Sequence, residues 1–189
     1  MTASRISAFA VHSSLAQMFT IYNSDLEAHL AEFFDQSFSD HEFEQRFVWS
    51  SGLISIFPFG ASATYWLEVY KSDSYKIEKK ANFALSLPFT VSQMDTIQII
   101  GSDDRDAQTV PIARGRYQLI YQDRYLTQSE INKIPDNLGT VDLEPDFWIN
   151  LGPKSCKLTF IETSTESTAE ILKAPEGLII NLPLELRRW

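Results

Sequence analysis

The sequence predicts a mainly β protein: a β-sandwich of short antiparallel strands with a few short helices. Two observations carry this. From Gly52 onward, apolar residues recur at every second position in short runs separated by polar turns, the signature of strands with one buried face. Aromatic residues make up 13% of the chain, led by 13 Phe and 7 Tyr, and flat rings pack well on a pleated surface. Alternating βαβ units are not seen, which argues against a parallel α/β sheet. The length of 189 residues fits one domain over 1–189, with a helical insertion at about 24–48 and a candidate accessory C-terminal layer at 126–189.

The elements follow in order. Ile6 to Val11 alternates weakly and reads as a strand, and Met18 to Tyr22 is a stronger one. Ser24-Asp25-Leu26-Glu27 matches a capping box, followed by Leu26, Leu30, Phe33 and Phe34 at helical spacing. A second box, Ser39-Asp40-His41-Glu42, opens a shorter helix with Phe43 and Phe47 on one face. Strands are then expected at Leu53 to Phe57, at Thr64 to Tyr70 and at Phe83 to Val91, the cleanest alternation in the chain. Pro88 lacks a ladder donor, so the last of these belongs at an edge or is bulged there. Thr96 to Ile100, Thr109 to Ile112 and Arg116 to Tyr121 continue the series. Thr127-Gln128-Ser129-Glu130 caps a brief helix, and Asp136 to Pro145 reads as a loop. Phe147 to Leu151, Lys157 to Ile161 and Leu178 to Leu182 are further strands, and Ser167 to Glu170 caps one helical turn.

Charge narrows the partners. Twenty-five acids against 16 bases leave a formal charge of −9, which disfavours direct binding to nucleic acid and favours a basic protein partner. Between Ser24 and Gln45 stand seven acids (Asp25, Glu27, Glu32, Asp35, Asp40, Glu42, Glu44) and no Lys or Arg. A lone cysteine, Cys156, makes no internal disulfide and suits a reducing compartment. With no long apolar run and no signal-peptide pattern, the expectation is a cytoplasmic protein that does not enter a membrane.

No catalytic or metal constellation emerges. His12 beside Ser13 is no dyad, because neighbours in a strand point to opposite faces. His41 and Glu44 offer half of a helical metal site with no second pair to complete it. Gly101-Ser102-Asp103-Asp104-Arg105-Asp106 lacks the calcium-loop pattern and reads as a polar hairpin loop. Trp49, Trp66, Trp148 and Trp189 read as core or rim residues. Arg114, Arg116 and Arg124 form the only localised basic group, interrupted by Asp123. The expectation is therefore a protein without cofactor or metal, and not an enzyme.

Three segments carry a family likeness. They are Gln17 to Tyr22; Phe43 to Ser50 running into Gly52 to Ile56; and Leu87-Pro88-Phe89-Thr90-Val91 together with Gly115 to Leu119. In this order, over about residues 17–122, the chain resembles the competence protein J (ComJ) family of DNA-entry nuclease inhibitors. The resemblance implies a non-catalytic binding protein that restrains a basic, nucleic-acid-handling enzyme, here a nuclease. Charge alone then nominates the contacts: Asp35, Asp40 and Glu42 on the acidic helices, and Asp103, Asp104 and Asp106 on the hairpin loop. Two other readings stay open: a small-molecule or carbohydrate-binding sandwich with an exposed Trp or Tyr in a concave patch, and an enzyme whose site is assembled from distant residues, such as a histidine meeting a carboxylate in a pocket.

Overall fold

A computed structural model describes residues 3–13, 18–35, 39–58, 64–102, 104–134, 153–165, 167–175, 178 and 184. Alternation drives the architecture. In β6 (Phe83–Val91), Phe83, Leu85, Leu87, Phe89 and Val91 are all buried, and in β9 (Gly115–Tyr125) Tyr117, Leu119 and Tyr121 match them across the ladder. These strands join β1 (Ser4–His12), β5 (Thr64–Lys71), β10 (Lys154–Glu162) and β11 (Glu170–Lys173) in a six-stranded sheet of order β1-β5-β10-β9-β6-β11. A second sheet of order β3-β4-β2-β7-β8 holds β2 (Phe19–Asn23), β3 (Phe47–Ser50), β4 (Leu53–Ile56), β7 (Thr96–Gly101) and β8 (Gln108–Pro111). Inward residues of both sheets, among them Ile21, Ile54, Ile97 and Ile99 from one and Leu67, Leu85, Leu158 and Phe160 from the other, merge into one apolar core. Each fully buried side chain of this size stabilises the fold by about 1.5–3 kcal/mol. The predicted sandwich is the observed fold.

Several elements differ from expectation, each for a local reason. The six-stranded sheet is mixed, since β10 runs parallel to β5 while it is antiparallel to β9. Within 126–189, where an accessory layer was expected, β10 occupies the middle of that sheet. β6 is an interior strand, but β11 spans only Ala84 to Ser86, so Pro88 has a described ladder neighbour on the β9 side alone. Residues 170–173, expected to complete a capped helical turn, form β11 instead. The expected strand at 147–151, the loop at 136–145, Trp148 and Trp189 lie outside the described residues, as does the expected strand at 178–182 except for Leu178, which is in no strand.

The helical insertion splits into a 3-10 helix (Ser24–His29), α1 (Leu30–Asp35) and α2 (Asp40–Gln45). The capping box at Ser24 does not form. Asn23 is the N-cap, and the Ser24 hydroxyl pairs with Thr96 Oγ1 at 2.8 Å. Phe47, expected on the face of α2, belongs to β3 because Arg46 takes a left-handed conformation (φ 69°) that ends the helix. The turn from β3 to β4 requires Gly52. Its φ is 81°, and a Cβ there would run into the Asn23 side-chain amide. That amide donates to Thr90 O at 2.7 Å, and Asn23 N donates to Gly52 O at 2.9 Å. Asn23 thus ties the turn of one sheet to β6 of the other. The short helix α3 (Gln128–Ile131) starts as predicted, with the Glu130 carboxylate accepting from Thr127 N at 2.9 Å.

Candidate functional site

The acidic face is built on rigid pieces. At the start of α2 the Ser39 hydroxyl accepts from Glu42 N at 3.1 Å, and Glu42 Oε2 accepts from Ser39 N at 2.8 Å. At the other end Arg46 O accepts from Phe57 N at 2.9 Å, fastening the helix exit to the end of β4. Asp40 is exposed in the first turn, and Asp35 is exposed at the end of α1. Glu42 is different. It is 5% exposed and its carboxylate serves the cap, so it offers little charge to a partner. Phe43 projects from the same helix with 49% of its surface exposed, its ring resting on Phe57 at 5.5 Å between centroids.

The second acidic feature is the loop joining β7 to β8, the hairpin that the sequence predicted. Asp104 turns inward, its carboxylate accepting from Gly101 N at 2.9 Å and from His12 N at 3.3 Å. It fixes the loop against β1. Asp106 is exposed, and Asp103 lies outside the described residues. Of the six nominated acids, Asp35, Asp40 and Asp106 therefore present charge outward, while Glu42 and Asp104 are spent on backbone donors.

The interior holds a charge cluster that sequence reasoning missed. On the inward face of the six-stranded sheet, Lys154 Nζ lies 3.4 Å from Asp123 Oδ1, and both side chains have zero exposure. Tyr121 donates to Asp123 Oδ2 at 2.9 Å, and its hydroxyl also lies 3.5 Å from Cys156 Sγ. Lys154 Nζ sits 4.9 Å from the centre of the Tyr125 ring. The Tyr65 hydroxyl, buried nearby, makes no hydrogen bond among the described residues. Burial lowers the affinity of Lys154 for its proton, against the opposing pull of Asp123. Burial pushes the Cys156 thiol and the Tyr121 and Tyr65 phenols up, so all three stay protonated at neutral pH. A signal was available. Tyr117, Leu119, Tyr121 and Asp123 keep one period-two phase, as do Lys154, Cys156, Leu158 and Phe160.

Elsewhere the charged groups stand apart or pair with a neighbour. His29 and Glu32 stand 3.9 Å apart on an exposed helix surface, outside hydrogen-bond reach. The basic trio is engaged locally: Arg124 with Glu130 at 2.7 Å and Glu78 at 3.1 Å, Arg114 with Asp95 at 3.3 Å, and Arg116 with Ser164 O at 3.1 Å. Together the Arg124 guanidinium and Thr127 hold the Glu130 carboxyl down to about 2. Trp49 is buried and Trp66 half-buried. Of two described surface grooves, about 260 Å³ beside Arg116 and Thr163 and about 210 Å³ beside Lys157, neither is lined by a described Trp, and the second is lined by the exposed Tyr75. No group of three or more His, Cys, Asp or Glu side chains is placed to hold a metal among the described residues, and no described helix is long and apolar enough to cross a membrane.

Residues 11–147 match the profile of the family described as Competence protein J (ComJ), which spans most of the chain. The chain belongs to the ComJ family. Among solved structures, the fold is similar to that of ComJ from Bacillus subtilis, described as an inhibitor of the DNA degrading activity of NucA. The TM-score is 0.60 at 12% identity, covering 86% of this chain and all of that one. A protein described as crocagin biosynthetic gene J is also similar, with a TM-score of 0.51 at 10% identity, covering 86% of this chain and 99% of that one. No curated protein matches the chain. The family match encloses all three segments that carried the resemblance, and it stops before β10, the strand at the middle of the larger sheet.

Proposed function

We propose that this ComJ-family protein is a non-catalytic inhibitor that docks on a basic, DNA-degrading nuclease. The observation that carries the reading is family membership joined to a fold that matches the whole length of ComJ, itself described as an inhibitor of NucA. The physics agrees. A nuclease must attract phosphates, so its working surface is positive, and a chain of formal charge −9 is drawn to it. Asp35, Asp40 and Asp106 are the charges we assign to that contact. Asp103 completes the nominated loop, and Glu42 and Asp104 hold its two platforms in shape. The buried, protonated Cys156 offers no nucleophile and fits a protein that works in the reducing cytoplasm.

The test is a titration of the purified protein into a DNA-degradation assay with NucA. The expected outcome is stoichiometric inhibition that weakens with rising salt, with no DNA cleavage by the protein alone. Undiminished NucA activity at a large excess of the protein would overturn the reading.

A further inference from the structure

We infer that Phe43 is the apolar anchor of the docking face, and that its partner is a basic protein surface with an apolar cleft beside the positive charge. The inference rests on the inhibitor reading and names the contact within it. Three observations carry it.

The first is exposure. Phe43 is one of three large hydrophobic residues that stand markedly exposed among those described, with Tyr75 and Met94. It is the only one of the three carried on a helix. Aromatic residues, Phe among them, are enriched at protein interfaces relative to the rest of the surface.

The second is rigidity. The capping box fixes the start of α2, and the left-handed Arg46, hydrogen-bonded to Phe57, fixes its end. The Phe43 ring leans on Phe57, which belongs to the apolar cluster of Tyr22, Phe33, Val48 and Leu53. The ring is therefore held in place before any partner arrives, so little freedom is lost on binding.

The third is charge, which chooses the occupant. Asp40 and Glu44 flank Phe43 on the same helix, Asp35 ends the preceding one, and no Lys or Arg lies between Ser24 and Gln45. A second copy of this chain, meeting the face symmetrically, would set acid against acid. An anionic lipid surface would be repelled in the same way. A positive protein surface is attracted by the rim and receives the ring at the centre. Rim charges of this kind set the association rate, whereas a buried aromatic sets the dissociation rate.

The experiment measures association and dissociation rates of NucA with the wild-type protein, Phe43→Ala and Asp40→Asn, at low and at physiological salt, after thermal melts show each variant folded. The expected result for Phe43→Ala is dissociation at least tenfold faster with association unchanged. For Asp40→Asn, it is slower association at low salt only. A wild-type protein that binds NucA while Phe43→Ala dissociates at the same rate overturns the anchor and leaves the inhibitor reading standing. A wild-type protein that fails to bind NucA removes both. Concentration-dependent dimerisation that Phe43→Ala abolishes would show that a second copy is the occupant, and would also overturn the inference.

Discussion

Carboxylates inside the sandwich and carboxylates on its surface differ in what they contribute. Asp123 is wholly enclosed, its carboxylate beside the Lys154 ammonium and accepting from the Tyr121 phenol, and it presents no charge to a visitor. Asp35, Asp40 and Asp106 are exposed and contribute little to the folded state, yet they shape the field that a basic partner meets. Between them lies Glu42, acidic in composition but engaged in a helix cap. The lesson is that net charge states how many acids a chain carries, and only hydrogen-bond partners separate structural acids from recognition acids.

The contrast can be broken by substitution, starting from its deepest member. Asp123→Ala leaves Lys154 buried without its counter-ion and is expected to destabilise the protein by about 3–5 kcal/mol, read by urea unfolding. The double change Asp123→Leu with Lys154→Met should recover most of that loss, since apolar replacement of a buried pair is often neutral or better. If the single and double variants unfold alike, the pair is not acting as a pair.

The enclosed thiol gives a pH signature. Its folded-state pKa is raised above the ordinary 9.0, so the unfolded chain releases this proton first. The contribution of Cys156 is therefore fully present below pH 9.0 and falls as pH climbs past it, at a slope approaching about 1.4 kcal/mol per unit. Subtracting the stability curve of Cys156→Val from that of the wild type should isolate this limb. A flat difference from pH 8 to 10, roughly the range in which free thiols titrate, would place Cys156 in contact with water.

Smaller effects sharpen the outer side. Ser39→Ala removes one half of the α2 cap and should cost about 1 kcal/mol in thermal or urea unfolding. Asp35→Asn, Asp40→Asn and Asp106→Asn should each change stability by less than about 0.5 kcal/mol. Combined, they should slow association with NucA about tenfold at low salt and little at high salt. A triple variant that associates at the wild-type rate would move the docking face elsewhere.

How far these two classes of acid could be read from the sequence depended on what each signal encodes. Alternation placed β5, β6, β7 and β9 because one buried face imposes a period of two. The capping boxes at Ser39 and Thr127 formed because each glutamate lies three positions on, within reach of the backbone amide of its cap residue. At Ser24 the same pattern failed, since Thr96 on a neighbouring strand competes for the hydroxyl. Phe43 and Phe47 share helical spacing, and nothing local announced that Arg46 would turn left-handed between them. Asp123 looked like a break in a basic run because it was read against Arg114, Arg116 and Arg124 rather than in phase with Leu119 and Tyr121. The outward or inward disposition of Asp104 depended on His12, ninety-two residues away, and no local pattern contains that contact.

One strand also governs when the protein can finish folding. β10 is inserted between β5 and β9, and pairs with β5 in the same direction across more than eighty positions of chain. Until residues 154–162 arrive, the large sheet is two separate ribbons, β1 with β5 and β6 with β9, each with an open hydrogen-bonding edge. A chain growing on the ribosome must hold those edges apart and then join them through a strand made after both ribbons. Closure of the sheet thus waits for residues 154–162, and a nascent fragment stopped before Lys154 leaves one open strand edge on each ribbon, the kind of surface that pairs with other chains.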